Sequence, residues 1–183
     1  MSILLHSELV KLVQCGVITN VEPDQINGAS IDLTLGNVFY VEDLARPRPI
    51  DLAAKESVPM HRFTVEPGGK LTLAPGQFCL AQTEQVFNLP EDIAAYFKLK
   101  STLGRSGLGH ALAGFADPTW NGSVLTLEYK NDLEVHPLVL TPGMKCGQMI
   151  FLRGEGEIPP ERCYATVGQY NTDATTQPAK QLR

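Results

Sequence analysis

Little in this chain of 183 residues is basic, aromatic or paired for metal binding, and those shortages narrow its work before any motif is considered. With 15 Lys and Arg against 20 Asp and Glu, the formal net charge is −5 and the isoelectric point about 5.3. No surplus of positive charge exists to displace counterions from a nucleic-acid backbone, so DNA or RNA binding is excluded as the main activity. No apolar run approaches the roughly 20 residues that a membrane-crossing helix needs. Met1 to Leu5 are too few and lack the basic flank of a secretory leader, so the expected compartment is the cytoplasm. The four cysteines, Cys15, Cys79, Cys146 and Cys163, lie 64, 67 and 17 positions apart and form no CxxC pair. That spacing argues against a zinc knuckle or a dithiol redox motif and predicts reduced, partly buried thiols. The four histidines, His6, His61, His110 and His136, are equally scattered, which argues against a transition-metal centre.

What is present is the composition of a folded domain. Hydrophobic residues make up 43% and charged residues 19%, enough apolar surface for a sizeable core, and the length suits one domain over 1–183. The 16 glycines and 13 prolines are dispersed as turns and do not gather in a linker. The stretch from Asp43 to Val58 has no periodicity and reads as a loop within the domain. One helix is expected near the start, with Ser7 as its cap, Leu9, Leu12 and Val13 as its apolar stripe and Gly16 as its end. This helix is expected to pack an edge of the domain. The period then falls to two. Ile31, Leu33 and Leu35 alternate with Asp32 and Thr34, and similar alternation recurs around Leu71–Leu73, Phe78–Leu80, Leu125–Tyr129 and Leu138–Leu140. Short strands between Gly and Pro turns predict a mainly β barrel or sandwich. A weak echo links Leu71-Thr72-Leu73-Ala74-Pro75-Gly76 with Leu138-Val139-Leu140-Thr141-Pro142-Gly143, each a strand followed by a type II turn. It reads as two similar turns in one β fold.

The segment from Leu89 to Asn131 differs in kind. Lys100-Ser101-Thr102-Leu103-Gly104-Arg105 follows an apolar strand, and Ser101 is placed to cap a short helix. Ser101 and Arg105 then share one face at i and i+4. Lys100, two hydroxyls, free helix N–H groups and Arg105 converging there would suit an anionic group, phosphate above all. The competing reading is an ordinary capped turn with solvated cations. Trp120, the chain's single tryptophan, follows Asp117-Pro118-Thr119 and fits either plain core or a ring that stacks on a sugar or base. On the next strand, Glu128 points away from Leu125, Leu127 and Tyr129, with Val124 and Thr126. It is either on a solvated side or in a buried site; if buried, it needs a partner or a raised pKa, and a raised pKa is what a general base uses. Asp32 is expected to hold a turn or a neighbouring subunit, His110 to lie at the surface, and Met144 and Met149 to fill core or interface.

Taken together, these segments resemble the dCTP deaminase/dUTPase superfamily, and more closely its dCTP deaminase branch. Four stretches carry the likeness in order: Ile26 to Gly36; Pro75 to Thr83 with Leu89 to Asp92; Lys100 to Arg105; and Ala113 to Trp120 with Leu125 to Glu128. The resemblance implies a mainly β, dUTPase-like fold, a distorted β-barrel or β-clip with a short N-terminal helix, assembled as a homotrimer with active sites at subunit interfaces. It implies zinc-independent deamination of dCTP to dUTP and ammonia, with continuation to dUMP and pyrophosphate left open, in the supply of dTTP. Mg²⁺ would arrive with the triphosphate, and dTTP would be a candidate inhibitor. By the same resemblance Glu128 is the general base, and Ser101 and Arg105 orient water, base or phosphates. Lys100 and Thr102 bind nucleotide, and Ala113 meets the pyrimidine through its backbone. Phe115, Asp117 and Trp120 lie near the deoxyribose, with Asp117 binding the 3′-hydroxyl or, in dUTPases, helping to activate water. Gln148 and Tyr170 complete the nucleotide-binding set, and residues from about 164 to 183 form a flexible lid.

The sequence departs from the family pattern in places. Lys100 stands where an arginine is usual, which removes a bidentate grip. Ser101 to Asp117 spans 16 positions and Asp117 to Glu128 spans 11, one short and one long against the family's spacing. Ala113-Gly114-Phe115 resembles the bifunctional enzymes that carry dCTP through to dUMP. The tail has Gln169-Tyr170 in place of Lys-Tyr and lacks the later Gln-x-Gly. A dUTP diphosphatase that uses Asp117 to activate water, and a non-catalytic nucleotide-binding member of the fold, remain as alternatives.

Overall fold

The computed structural model of the chain describes residues 1–45 and 47–180. In chain order the first elements are β1 (Ser2–Ile3), α1 (His6–Gln14), β2 (Ile18–Thr19), β3 (Ile31–Thr34), β4 (Val38–Glu42), β5 (Met60–Thr64), β6 (Leu71–Leu73) and β7 (Phe78–Asn88). Then come β8 (Ile93–Leu99), α2 (Ser101–Arg105), β9 (Leu108–His110), β10 (Phe115–Ala116), β11 (Asn121–Asn131), β12 (Leu138–Leu140), β13 (Lys145–Arg153) and α3 (Tyr164–Val167).

All strand pairings are antiparallel. One sheet runs β1-β13-β8-β10 with β3 added on β13; the other runs β5-β4-β7-β11-β9 with β2 added on β7. Their inner faces meet in a core that includes Leu33, Phe39, Phe87, Leu127, Tyr129 and Phe151, all fully or almost fully buried. The two echoing segments turn out to be partners. β6 and β12 pair with Leu71 opposite Leu140 and Leu73 opposite Leu138. Each leads into a Pro-Gly turn whose glycine takes the positive φ that a type II turn needs, 74° at Gly76 and 82° at Gly143.

Helix α1 has its apolar stripe where expected, with Leu9 and Leu12 buried, and Gly16 ends it at φ 73°. Its start is different. Leu5 occupies the cap position without a side-chain bond, and Ser7 lies inside the first turn. Backbone bonds from Leu4 to Phe151 and from His6 to Gly28 hold the entering chain, so tertiary hydrogen bonds set the start and Ser7 is not the cap. At α2 too the serine is not the cap: Lys100 takes the cap position and Ser101 is the first helical residue. Residues 43–45 and 47–59 lie in the expected loop between β4 and β5, Arg46 of that loop lying outside the described residues, and Cys79 and Cys146 are buried free thiols.

Asp32 shows how a strand that alternates in sequence can bury both faces. Its side chain is 3% exposed, yet Lys100 Nζ lies 2.6 Å and Lys145 Nζ 3.2 Å from its carboxylate, and Asn27 donates at 2.9 Å. Burial alone would raise its pKa, but these hydrogen bonds outweigh burial and hold the carboxyl below its ordinary 3.8. Asp32→Asn is therefore expected to cost about 2 kcal/mol near neutral pH, because two ammonium groups lose their anion. The sign follows from the lowered folded-state pKa: the contribution is complete above 3.8 and is lost as pH falls through the lower folded-state value. Urea unfolding of both proteins at neutral and at strongly acidic pH checks this, since the gap between them should close in acid.

A second packing constraint sits beside the site described below. A Cβ on Gly147 would fall on the ring of Phe97, which is 3% exposed and packed in the core. Gly147→Ala is expected to lower stability by about 1–3 kcal/mol through overpacking. Thermal unfolding of the variant is the check.

Candidate active site

A cavity of about 470 Å³ opens beside β11, and its walls come from separate parts of the chain. Ala113 and Phe115 approach from the β9–β10 segment, Asp117 and Trp120 from the turn before β11, and Glu128 from β11 itself. Val58 reaches it from the long loop, Met60 from the start of β5, and Tyr170 and Asp173 from the tail. Leu80 and Val124 add apolar lining, so the wall is mostly hydrophobic with a few carboxylates set into it.

Glu128 is the chemically loaded member. Its side chain is 22% exposed, and burial pushes its carboxyl up to about 7. The strand pattern left open whether this acid faced solvent or a site; it faces the cavity. Burial also raises the Asp117 carboxyl. Among the described lining residues there is no lysine or arginine. Trp120 is both core and wall. It is 6% exposed and stacks on Phe87 at 5.3 Å, and its indole N–H donates to the Tyr170 carbonyl at 2.6 Å.

The other residues singled out in the sequence are not gathered here. Ser101, Thr102 and Arg105 are exposed on α2 and do not line the cavity. Lys100 does not converge with them within the chain, because its ammonium is drawn to the buried Asp32 carboxylate. Gln148 lies on β13, where its side-chain oxygen accepts from Ser30 at 3.0 Å.

His110 corrects the sequence reading outright. The ring is 3% exposed, between Phe97 at 4.6 Å and Tyr129 at 5.6 Å, and its Nε2 lies 3.4 Å from Glu128 Oε2. Gly107 and Gly109 made this stretch look like a surface loop. They are instead close-approach positions, since a Cβ on either would meet Leu133 or Asp132. No local pattern could have shown that β9 pairs with β11 and carries the ring inward.

The tail has a defined path over its own chain as far as Lys180; Gln181 to Arg183 of the expected lid lie outside the described residues. Thr172 N–H donates to the Asn121 carbonyl and Val124 N–H to the Asp173 carbonyl. Gln82 Oε1 accepts from Thr175 Oγ1 and Thr176 N–H, each at 2.9 Å, and Thr176 is fully buried. Lys180 spans back to Asp173 at 2.7 Å.

Comparison with known proteins matches residues 3–154 to a family model described as dCTP deaminase-like. The chain belongs to the dCTP deaminase-like family. It is 42% identical over 135 residues to a protein named dCTP deaminase, dUMP-forming, from Streptomyces griseus, covering 72% of this chain and 69% of that one. A relative of the same name from Coprothermobacter proteolyticus is 37% identical over 158 residues, covering 84% and 81%. Among solved structures, the 2′-deoxycytidine 5′-triphosphate deaminase from Agrobacterium tumefaciens superposes with a TM-score of 0.65 at 21% identity. The match covers 87% of this chain and 50% of that one, so this chain spans about half of that solved chain's length. At that identity the likeness speaks to the fold, which is the mainly β, dUTPase-like architecture that the sequence resemblance implied. Within this family fold, β11 supplies Glu128 and the turn before it supplies Asp117 and Trp120.

Proposed function

We propose that this protein deaminates dCTP and carries the product through to dUMP and pyrophosphate, supplying pyrimidine for dTTP. The observation that carries the reading is Glu128, a carboxyl buried in an apolar cavity with its pKa raised to about 7. A base with a pKa near the working pH is both ionised in a useful fraction and able to return its proton. As carboxylate, Glu128 takes a proton from a water that forms the new C–O bond at C4 of cytosine. It then passes that proton toward the departing nitrogen, the C–N bond breaks, and dCTP plus water has become dUTP plus ammonia. Asp117, in the same cavity, is the group available to bind the 3′-hydroxyl or to orient a second water for cleavage to dUMP and pyrophosphate. Two relatives named dUMP-forming, and the short Ala113-Gly114-Phe115 segment, support the longer reaction.

The charge distribution supports a composite site. The cavity holds carboxylates, and no lysine or arginine lines it among the described residues, so by itself it would repel a triphosphate. Ser101, Thr102 and Arg105 are exposed on α2 and suit a phosphate that belongs to a neighbouring copy's cavity. This arrangement favours the homotrimer with sites between subunits. Mg²⁺ is assigned to the incoming triphosphate, whose oxygens would hold it as part of the substrate.

The decisive assay incubates the protein with Mg²⁺ and dCTP, and separately with dUTP, and follows ammonia, dUTP, dUMP and pyrophosphate by chromatography. Ammonia with dUMP and pyrophosphate is the expected result. Accumulating dUTP would make it a deaminase alone. Pyrophosphate from dUTP without ammonia from dCTP would favour Asp117 as the working carboxylate and a dUTP diphosphatase. Silence on both would leave a nucleotide-binding member of the family.

A further inference from the structure

Two buried side-chain atoms among the described residues lack a hydrogen-bond partner, and they face each other: His110 Nε2 and Glu128 Oε2, 3.4 Å apart. The tautomer of His110 follows from its other nitrogen. The Leu112 backbone N–H lies 3.1 Å from Nδ1 and can only donate, so Nδ1 accepts and the ring's proton sits on Nε2. Nε2–H is therefore a donor lying beside Oε2, with no other acceptor in reach among the described residues. A doubly protonated ring is ruled out by the same contact, and burial pushes the imidazole down to about 4, which keeps it neutral.

We propose that His110 is a positioning residue for Glu128: its Nε2–H holds Oε2 of the carboxylate and leaves Oε1 as the oxygen that exchanges a proton with substrate. Oε2 is fully buried while the Glu128 side chain is 22% exposed, so the accessible part of that side chain lies elsewhere than on Oε2. The 3.4 Å separation is longer than a formed hydrogen bond, as catalytic pairs often are before substrate closes the site. The ring itself is set on both sides. Phe97 and Tyr129 pack against it, and the Ala111 N–H bond to the Glu128 carbonyl ties the segment after β9 to β11. Such support is what a positioning group needs, since its effect depends on being held to within a fraction of an ångström.

The donor stabilises the ionised form, so it opposes the desolvation that raises the Glu128 pKa. Removing it moves that pKa further up. The other titratable groups of the cavity, Asp117, Asp173, Tyr164 and Tyr170, lie on other elements, and Lys180 is bound to Asp173. Tyr129, next along the strand, donates its hydroxyl to the Cys146 carbonyl at 2.9 Å. None of these is hydrogen-bonded to the His110 ring, whose one side-chain hydrogen bond among the described residues is with the Leu112 N–H.

The inference rests on Glu128 as the proton-transfer group, and its test separates the two. His110→Phe keeps a ring between Phe97 and Tyr129 and removes the donor; His110→Gln restores an N–H of similar reach. Infrared titration of the Glu128 carboxyl, identified by its loss in Glu128→Gln, is read with no substrate present. The carboxyl's midpoint is expected to rise by about one pH unit in His110→Phe and to return most of the way in His110→Gln. In the dCTP assay the acidic limb of the kcat profile moves alkaline by a similar amount. At pH 7 kcat falls roughly 10–100-fold with KM little changed, as expected for weakened proton transfer. An unmoved carboxyl in His110→Phe, or His110→Gln behaving like His110→Phe, overturns the proposal. A shifted carboxyl in a protein with no deaminase activity upholds the contact and overturns the assigned reaction. If His110→Phe does not fold, His110→Met, of similar bulk and with no N–H, takes its place in the same titration, and an unmoved midpoint there overturns the proposal.

Discussion

Glu128→Gln is expected to lower dCTP deamination by about 10²–10⁴-fold while leaving a protein that folds at least as well as the parent. The rate loss follows from removing a base whose pKa burial has brought to about 7. The folding claim follows from the same shift. A carboxyl whose folded-state pKa lies above its unfolded value of 4.5 supports the fold most at low pH, and that support is lost as pH rises toward 7. Ionising it in its apolar cavity then costs the folded state free energy that a neutral amide does not. Glu128→Gln should therefore melt at a higher temperature than the parent near pH 8, by an amount corresponding to about 1–3 kcal/mol, and the two should converge in acid. Calorimetry at both pH values, beside the ammonia assay, distinguishes a lost catalytic group from a damaged fold. An inactive variant that also melts lower at alkaline pH would mean that Glu128 holds the structure instead.

Arg105→Ala carries the second large effect, and its interest lies in rescue. Arg105 is exposed on α2 and does not line the cavity that contains Glu128. If it grips the triphosphate of a neighbouring copy, losing it should cost roughly 10–100-fold in kcat/KM for dCTP, the worth of a charge-assisted phosphate contact. Neither Arg105→Ala nor Glu128→Gln should then have much activity alone. Mixed trimers refolded or co-expressed from both would contain intact sites wherever an unaltered Glu128 meets an unaltered Arg105. For random assembly that is about a quarter of the sites, so mixing two nearly inactive proteins should restore about a quarter of parental activity. A mixture no better than the sum of its parts would mean that each chain builds its site alone.

Some of this was legible in the residues. Period-two alternation around Leu71–Leu73, Leu125–Tyr129 and Leu138–Leu140 named real strands, because a strand's two faces are written by adjacent residues. Pro75-Gly76 and Pro142-Gly143 named their turns, because a positive φ is a local demand. The orientation of Glu128, away from Leu127 and Tyr129, followed from the same alternation. The helix starts at His6 and Ser101 were less legible, since neither has a side-chain cap and the first is set by backbone bonds to distant residues.

Thus the sequence by itself determined the mainly β character, the turns, the family and the strand that carries the acid. Only the tertiary structure decided which charges are free. Lys100 reads as a phosphate ligand until a partner 68 positions away, Asp32, takes its ammonium into a buried pair. His110 reads as a surface residue until β9 pairs with β11 and turns its ring onto Glu128. Thr176 is buried and donates its N–H to Gln82, 94 positions earlier, a pairing that no local pattern shows. The reason is common to all three. Alternation and turn chemistry depend on neighbours in the chain, whereas a side chain's partner and the burial that shifts its pKa depend on sheet register and on which strands are paired.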